Sequence, residues 1–273
     1  MIPFLHLGPL EIPTFGLLLA VAMLAAYFVL RADLARRAIA PKSSTLAESL
    51  VAFPCLAGIV GAKLYHVLES PREFLADPWH QLFSQFGFAW FGGFLAGLLV
   101  YVWIAQRQNV SLLTMFDAGS PAAALGYGIG RIGCLLSGDG DYGITTSLPW
   151  GMRFPNGLVP TTTRVHPTPI YELIASCAIA WFLWSLGRRS LVSGSDKETP
   201  RVKPPSAGTT FAAYLILSGL ARFLVEFIRI NPRSFFGLTN AQAASLASIA
   251  VGALILWRLR PHSLKPFRQP NPQ

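Results

Sequence analysis

IPTFGLLLAVAMLAAYFVL fills residues 12–30, nineteen consecutive positions without a charge, and Arg31 follows directly. That is close to the roughly 20 apolar residues an α-helix needs to cross the hydrocarbon of a bilayer. Met1 to Leu10, ahead of it, lacks the basic run of a cleaved signal, so the block is expected to persist as a helix.

The pattern repeats outward from this block. Further apolar blocks fall at about 46–68, 88–105, 115–136, 170–186, 209–229 and 240–257, separated by short basic or Pro/Gly-rich segments. Hydrophobic residues make up 52% of the 273-residue chain and charged residues 13%, about half the charged share of a soluble domain. The alternating segments of an outer-membrane barrel are absent, so backbone polar groups have to be satisfied within helices. The sequence predicts an all-α, polytopic integral membrane protein of about seven transmembrane helices, forming one membrane domain over residues 1–273.

The net charge of +9 does not point to nucleic acid, because the basic residues lie between the apolar blocks rather than along one amphipathic face. Fourteen Lys and Arg fall in the segments after blocks one, three, five and seven, and five in the opposite set. Cytoplasmic loops carry the basic excess, which predicts an outside N-terminus and a cytoplasmic C-terminus. Cys55, Cys134 and Cys177 lie in or beside apolar segments without C-x-x-C spacing, so neither a disulfide nor a metal is implied.

Two connections are long. Residues 187–208, rich in Ser, Pro and charge, read as a flexible cytoplasmic linker. Residues 137–169 carry Asp139, Asp141, Tyr142, Trp150, Arg153, Arg164 and His166 among Pro, Gly and Thr, and read as a structured extracytoplasmic cap. The pairs Gly93/Gly97 and Gly126/Gly130 have the G-x-x-x-G spacing of closely packed helices. Around Gly126, Gly128, Gly130 and Gly133, which run into Arg131, small residues also leave room for a ligand headgroup.

An ionisable side chain inside a membrane costs several kcal/mol and faces a partner, a cavity or a substrate. Arg131, Arg222 and Glu226 stand out; Lys63 and His66 form a weaker set that can reach an interface. Arg222 and Glu226 share one helix face at i, i+4 and can neutralise each other. Arg131 has no carboxylate at i±3 or i±4 and calls for an external partner. A planar guanidinium suits a phosphate, and two such groups on different helices can clamp one phosphodiester. Purely structural ion pairs are the alternative.

The run Gly130-Arg131-Ile132-Gly133-Cys134-Leu135-Leu136-Ser137-Gly138-Asp139 resembles the prolipoprotein diacylglyceryl transferase signature, usually G-R-x-G-N-F-x-N-G-E. Phe15-Gly16, Gly61-Ala62-Lys63-Leu64, Gly92-Gly93, His166-Pro-Thr-Pro-Ile-Tyr171-Glu172 and Arg222-Phe-Leu-Val-Glu226-Phe resemble further segments of that family, in order along nearly the whole chain. The resemblance implies transfer of the diacylglyceryl group of phosphatidylglycerol to the lipobox cysteine of a prolipoprotein signal peptide, in the bacterial cytoplasmic (inner) membrane, without cofactor or metal. It implies that Arg131 and Arg222 hold the phosphate, that Glu226 orients Arg222, and that Asp139 orients Arg131 or the headgroup. It also places Gly130, Gly133, Gly92, Gly93, Gly143 and His166 at the substrate. Departures are Phe91 where the family usually has His, Cys134 where it has Asn, and Phe15 and Ser218 at two tyrosine positions. Without that histidine, the field of the arginines or His166 has to assist the thiol, whose pKa is about 8.5 when free. A divergent paralogue that binds phospholipid or signal peptide without catalysis, or one that uses another acceptor, is the competing reading.

Overall fold

The computed structural model describes residues 1–8, 10–84, 87–192, 206–234 and 236–259. Most of the predicted linker, residues 193–205, lies outside the described residues. Seven long helices coincide with the seven apolar blocks: α1 (Thr14–Arg36), α2 (Leu46–Glu69), α5 (Trp90–Gln106), α6 (Leu112–Ser137), α7 (Thr168–Val192), α8 (Thr209–Val225) and α9 (Asn240–Leu259). Two short helices, α3 (Pro71–Ala76) and α4 (Pro78–Phe83), connect α2 to α5. The segments of α1, α2, α7, α8 and α9 are long and apolar enough to cross a membrane, whereas α5 is apolar but shorter, at 17 residues. Helix α6 has the length, 26 residues, but carries Asp117 and Arg131 within it. Large apolar side chains such as Phe53, Leu56, Val60, Trp103, Trp181 and Trp257 face outward, the surface a hydrocarbon solvent favours. The chain is a helical, multi-pass membrane protein.

Capping residues set several ends. Ser111 accepts a hydrogen bond from Thr114 N at 3.2 Å to start α6, and Gly138, at φ +59°, closes it in the left-handed conformation. Thr239 and Gln242 cap α9 reciprocally, each side chain accepting the other's N–H at 3.1 Å. Helix α8 is started from a neighbouring helix: the Asp117 carboxylate of α6 accepts Gly208 N at 2.8 Å and Phe211 N at 2.7 Å.

Helix α1 runs past the predicted block because Asp33, fully buried, neutralises Arg36 and Arg37 one turn on. Arg36 Nη1 donates to Trp184 O of α7 at 2.9 Å, and Arg37 reaches Thr210 of α8. Helix α7 likewise continues past Gly187 to Val192. The principal pairs are α1 with α6, α2 with α5, α6 with α7, and α8 with α9, and α8 also meets α6 and α7. Ala180 and Leu183 of α7 pack with Ala124 of α6 and with Ala213 and Tyr214 of α8.

Two small antiparallel sheets accompany the helices, and hydropathy gave no sign of either. Strand β1 (Phe4–Leu7) pairs with β2 (Leu10–Pro13), and β3 (Met152–Phe154) with β4 (Thr161–Val165). The second sheet lies in the predicted cap, which has its own core of Tyr142, Phe154 and Val165 packed with Leu135 and Met152. Gly143 forms a β-bridge with Arg229 just beyond α8.

Candidate functional site

Helix α6 contributes Tyr127 and Arg131, four residues apart on one face; α7 contributes Glu172 from its first turns; and α8 contributes Arg222. Helix α8 ends in a 3-10 turn, Glu226–Ile228, that brings Glu226 and Arg229 to the same place. The cap contributes Asp141. Arg131, Arg222 and Arg229 therefore meet Asp141, Glu172 and Glu226, three positive and three negative groups drawn from four segments.

Arg131 is engaged along its whole guanidinium. Nη1 pairs with Asp141, Nη2 donates to Tyr127 OH at 2.8 Å, and Nε lies 3.5 Å from Glu172. Arg229 is the most buried of the three, its side chain 6% exposed; it pairs with Asp141 and lies 3.4 Å from Glu172. Arg222, at 24%, is the most exposed. It spends only Nη1, 2.9 Å from Glu226 and 3.3 Å from Glu172. Among the described residues neither its Nη2 nor its Nε makes a hydrogen bond. Glu226, with no side-chain exposure, also accepts from Asn231 Nδ2 at 2.6 Å.

The resemblance gives Asp139 the role of orienting Arg131 or the headgroup. Asp139 makes no ion pair with Arg131 among the described residues; it faces Cys134 and accepts Asp141 N at 3.2 Å. Arg131 therefore already has protein carboxylates as partners, Asp141 and Glu172. The two cap acids titrate in opposite directions. Burial and the adjacent Asp141 charge push the Asp139 carboxyl above the usual range. Asp141 is also buried, but Arg229 and Arg131 outweigh that and hold it below. Cys134, Asp139 and Asp141 bring ligand-type atoms within 4.8 Å of one another. Both Asp141 oxygens are taken by arginines.

The predicted glycines divide. No heavy atom lies within 4 Å of a Cβ built at Gly130, which leaves space beside Arg131, whereas one at Gly133 would lie 3.0 Å from Phe15 of α1. Gly92 and Gly93 belong to helix packing: a Cβ at Gly92 would stand 2.3 Å from Gly61 O, and one at Gly93 3.1 Å from Gly58 O, both of α2. Both serve the close α2–α5 approach. Gly143 fits under the end of α8, where a Cβ would meet Ile228 O at 2.5 Å. His166 Nδ1 lies 3.1 Å from Tyr171 OH. Lys63 donates to Ser84 O at 3.0 Å and Ser84 Oγ at 2.9 Å, and so ties α2 to its following connection. Phe91 is 65% exposed, its ring edge-on to Trp90.

A cleft of about 540 Å³ opens between α7 and α8. Ala175, Ile179, Leu217, Leu220 and Leu224 make it apolar, and Tyr171 and Glu172 bring it to the charged cluster. Glu172, Asp141, Arg229 and Tyr127 were not singled out as site residues by sequence reasoning. Arg229 closes the sixth apolar block, and its i+3 spacing from Glu226 and i+7 spacing from Arg222 continue one helix face.

Comparison with known proteins accords with this arrangement. The family described as prolipoprotein diacylglyceryl transferase matches residues 3–258. A phosphatidylglycerol–prolipoprotein diacylglyceryl transferase of Geobacter sulfurreducens is 32% identical over 240 residues, covering 86% of this chain and 84% of the relative. Relatives of the same name from Gloeobacter violaceus and Aeromonas hydrophila are 29% and 31% identical, covering 95% and 92% of this chain and 93% and 87% of their own lengths. With the match running through every helix that carries the charged cluster, the chain belongs to the prolipoprotein diacylglyceryl transferase family.

Proposed function

We propose that this protein transfers the diacylglyceryl group of phosphatidylglycerol to the lipobox cysteine of prolipoproteins, in the bacterial cytoplasmic membrane, with the cap on the outer face. The observation that carries this is the meeting of three guanidinium groups at the end of an apolar cleft. A phospholipid has the same division, with acyl chains that need an apolar groove and a phosphodiester that needs donors.

In the reaction the thiol sulfur attacks the glycerol carbon that bears the phosphate ester. The C–O bond breaks with its electron pair going to the phosphate oxygen, the thiol proton passes to solvent or to that phosphate, and glycerol phosphate leaves. Negative charge grows on the phosphate, where preorganised donors in a dry site are most effective. Arg222, with Nη2 and Nε available, meets that charge; Glu226 orients it, and Asp141 and Tyr127 fix Arg131. Asp139, facing Cys134 and the turn to Asp141, shapes the cap side of the site. The guanidinium field favours the thiolate, and His166 borders the cleft through Tyr171. Phe91, turned outward, takes no part in proton transfer.

The test is purified protein in phosphatidylglycerol-containing nanodiscs with a labelled lipobox peptide, paired with complementation of a strain depleted of its own transferase. Thioether-linked diacylglyceryl peptide and growth are expected. Binding of both substrates without product would instead identify a non-catalytic paralogue.

A further inference from the structure

We infer that the Glu172 carboxylate is a built-in stand-in for the substrate phosphate: it holds the three guanidinium groups in register before substrate binds and is displaced when phosphatidylglycerol does. The inference rests on the phosphate-clamp reading of the arginines.

Of the three carboxylates, only Glu172 touches all three arginines. Oε1 lies 3.3 Å from Arg222 Nη1, and Oε2 lies 3.5 Å from Arg131 Nε and 3.4 Å from Arg229 Nη1. Each of these is longer than the roughly 2.7–2.9 Å of a tight charge-assisted hydrogen bond. The one close contact of Glu172 comes from Tyr127 OH, at 2.6 Å. A two-oxygen anion thus stands among three forks without closing on any of them. The other two acids reach only two arginines each: Asp141 uses one oxygen on Arg131 and the other on Arg229, and Glu226, with no side-chain exposure, is held by Asn231 at Oε1 and lies 2.9 Å from Arg222 and 3.6 Å from Arg229 at Oε2. Glu172 is also the one carboxylate that lines the α7–α8 cleft.

The charges give the reason for displacement. Arg131, Arg222 and Arg229 are balanced by Asp141, Glu172 and Glu226, so an arriving phosphodiester leaves the cluster one negative charge in excess while Glu172 stays. A tetrahedral phosphodiester turns two anionic and two ester oxygens in different directions, whereas the two Glu172 oxygens lie in one plane and reach the three guanidiniums only at 3.3–3.5 Å. Glu172 therefore acts as a positioning residue and as a competitor. Without it the arginines would repel one another, and with it the lipid has to win its place.

The experiment measures binding of dihexanoyl phosphatidylglycerol to the full-length protein in detergent, with dihexanoyl phosphatidylcholine as the zwitterionic control, together with KM, kcat and the thermal midpoint. Glu172→Gln removes the competing charge and should tighten phosphatidylglycerol binding by about tenfold or more, lowering KM, with no matching gain for phosphatidylcholine. Glu172→Asp draws the carboxylate back while keeping its charge, and should shift binding in the same direction by less; it serves where Glu172→Gln does not fold. Arg222→Gln should weaken binding. If folded Glu172 variants bind phosphatidylglycerol no more tightly than the wild type while Arg222→Gln binds weakly, the stand-in role is wrong and the clamp survives. If Arg222→Gln binds as the wild type does, the clamp reading itself falls.

Discussion

Replacing Arg222 with lysine tests how the site reads its anion. Arg222 uses Nη1 for both Glu226, at 2.9 Å, and Glu172, at 3.3 Å. A lysine ammonium can take over that single point of contact. It cannot replace the other face of the fork, Nη2 and Nε, which is what a phosphate would engage. Hydrogen bonds to charged groups contribute about 1.5–3 kcal/mol each, and loss of one transition-state donor typically costs about 100- to 1,000-fold in rate. Arg222→Lys should therefore insert, purify and melt close to wild type while turning over a lipobox peptide at least about 100-fold more slowly. Arg229→Lys is the contrast. That guanidinium is 6% exposed and already shared between Asp141 and Glu172, and breaking such a buried pair costs about 3–5 kcal/mol, so it should fail first in thermal stability. Turnover per folded molecule, measured beside the melting midpoint, separates the two effects. Wild-type turnover by Arg222→Lys would refute the clamp, and so would its unfolding before activity is lost.

Labelling of single cysteines introduced in cells should place position 156 outside and position 193 in the cytoplasm, as the basic asymmetry requires; both on one side would contradict the seven-span topology. Cys134→Ala should retain at least partial activity, because the thiol packs beside Arg131 and Asp139 and needs no covalent role; a diacylglyceryl adduct trapped on Cys134 would show otherwise. Asp139→Asn should raise the thermal midpoint near neutral pH. The folded-state pKa of Asp139 is raised by burial and by Asp141, so its ionised form costs stability above that pKa, and the cost fades as pH falls through it. The variant's advantage should accordingly shrink toward about pH 4, near the ordinary aspartate value; a lower midpoint at neutral pH would count against the assignment.

The helices were legible because hydrocarbon imposes length and apolarity on each block independently. What escaped were features that depend on distant partners. The tail of α1 looked like a basic loop until Asp33 was seen buried between Arg36 and Arg37. Arg222 and Glu226 announced themselves through i, i+4 spacing, but no spacing joins Asp141 to Arg229, 88 residues apart, or Glu172 to Arg222, 50 apart. Glycine runs were ambiguous for a related reason: backbone freedom at Gly92 and Gly130 reads identically, although one admits a neighbouring helix and the other lies open.

The hold that Asp117 and the Asp33 pair keep on α7 and α8 governs how the cleft can move. At that end Asp117 carries the first N–H groups of α8, Arg36 grips Trp184 O, and Leu183 is fully enclosed. The opposite half of the same two helices, from Tyr171 to Ile179 and from Leu217 to Ile228, parts to form the cleft. The pair is built like tongs riveted at one end. A substitution at Asp117, far from any reacting atom, should therefore loosen the pinned end and be felt as faster exchange of lipid rather than weaker chemistry.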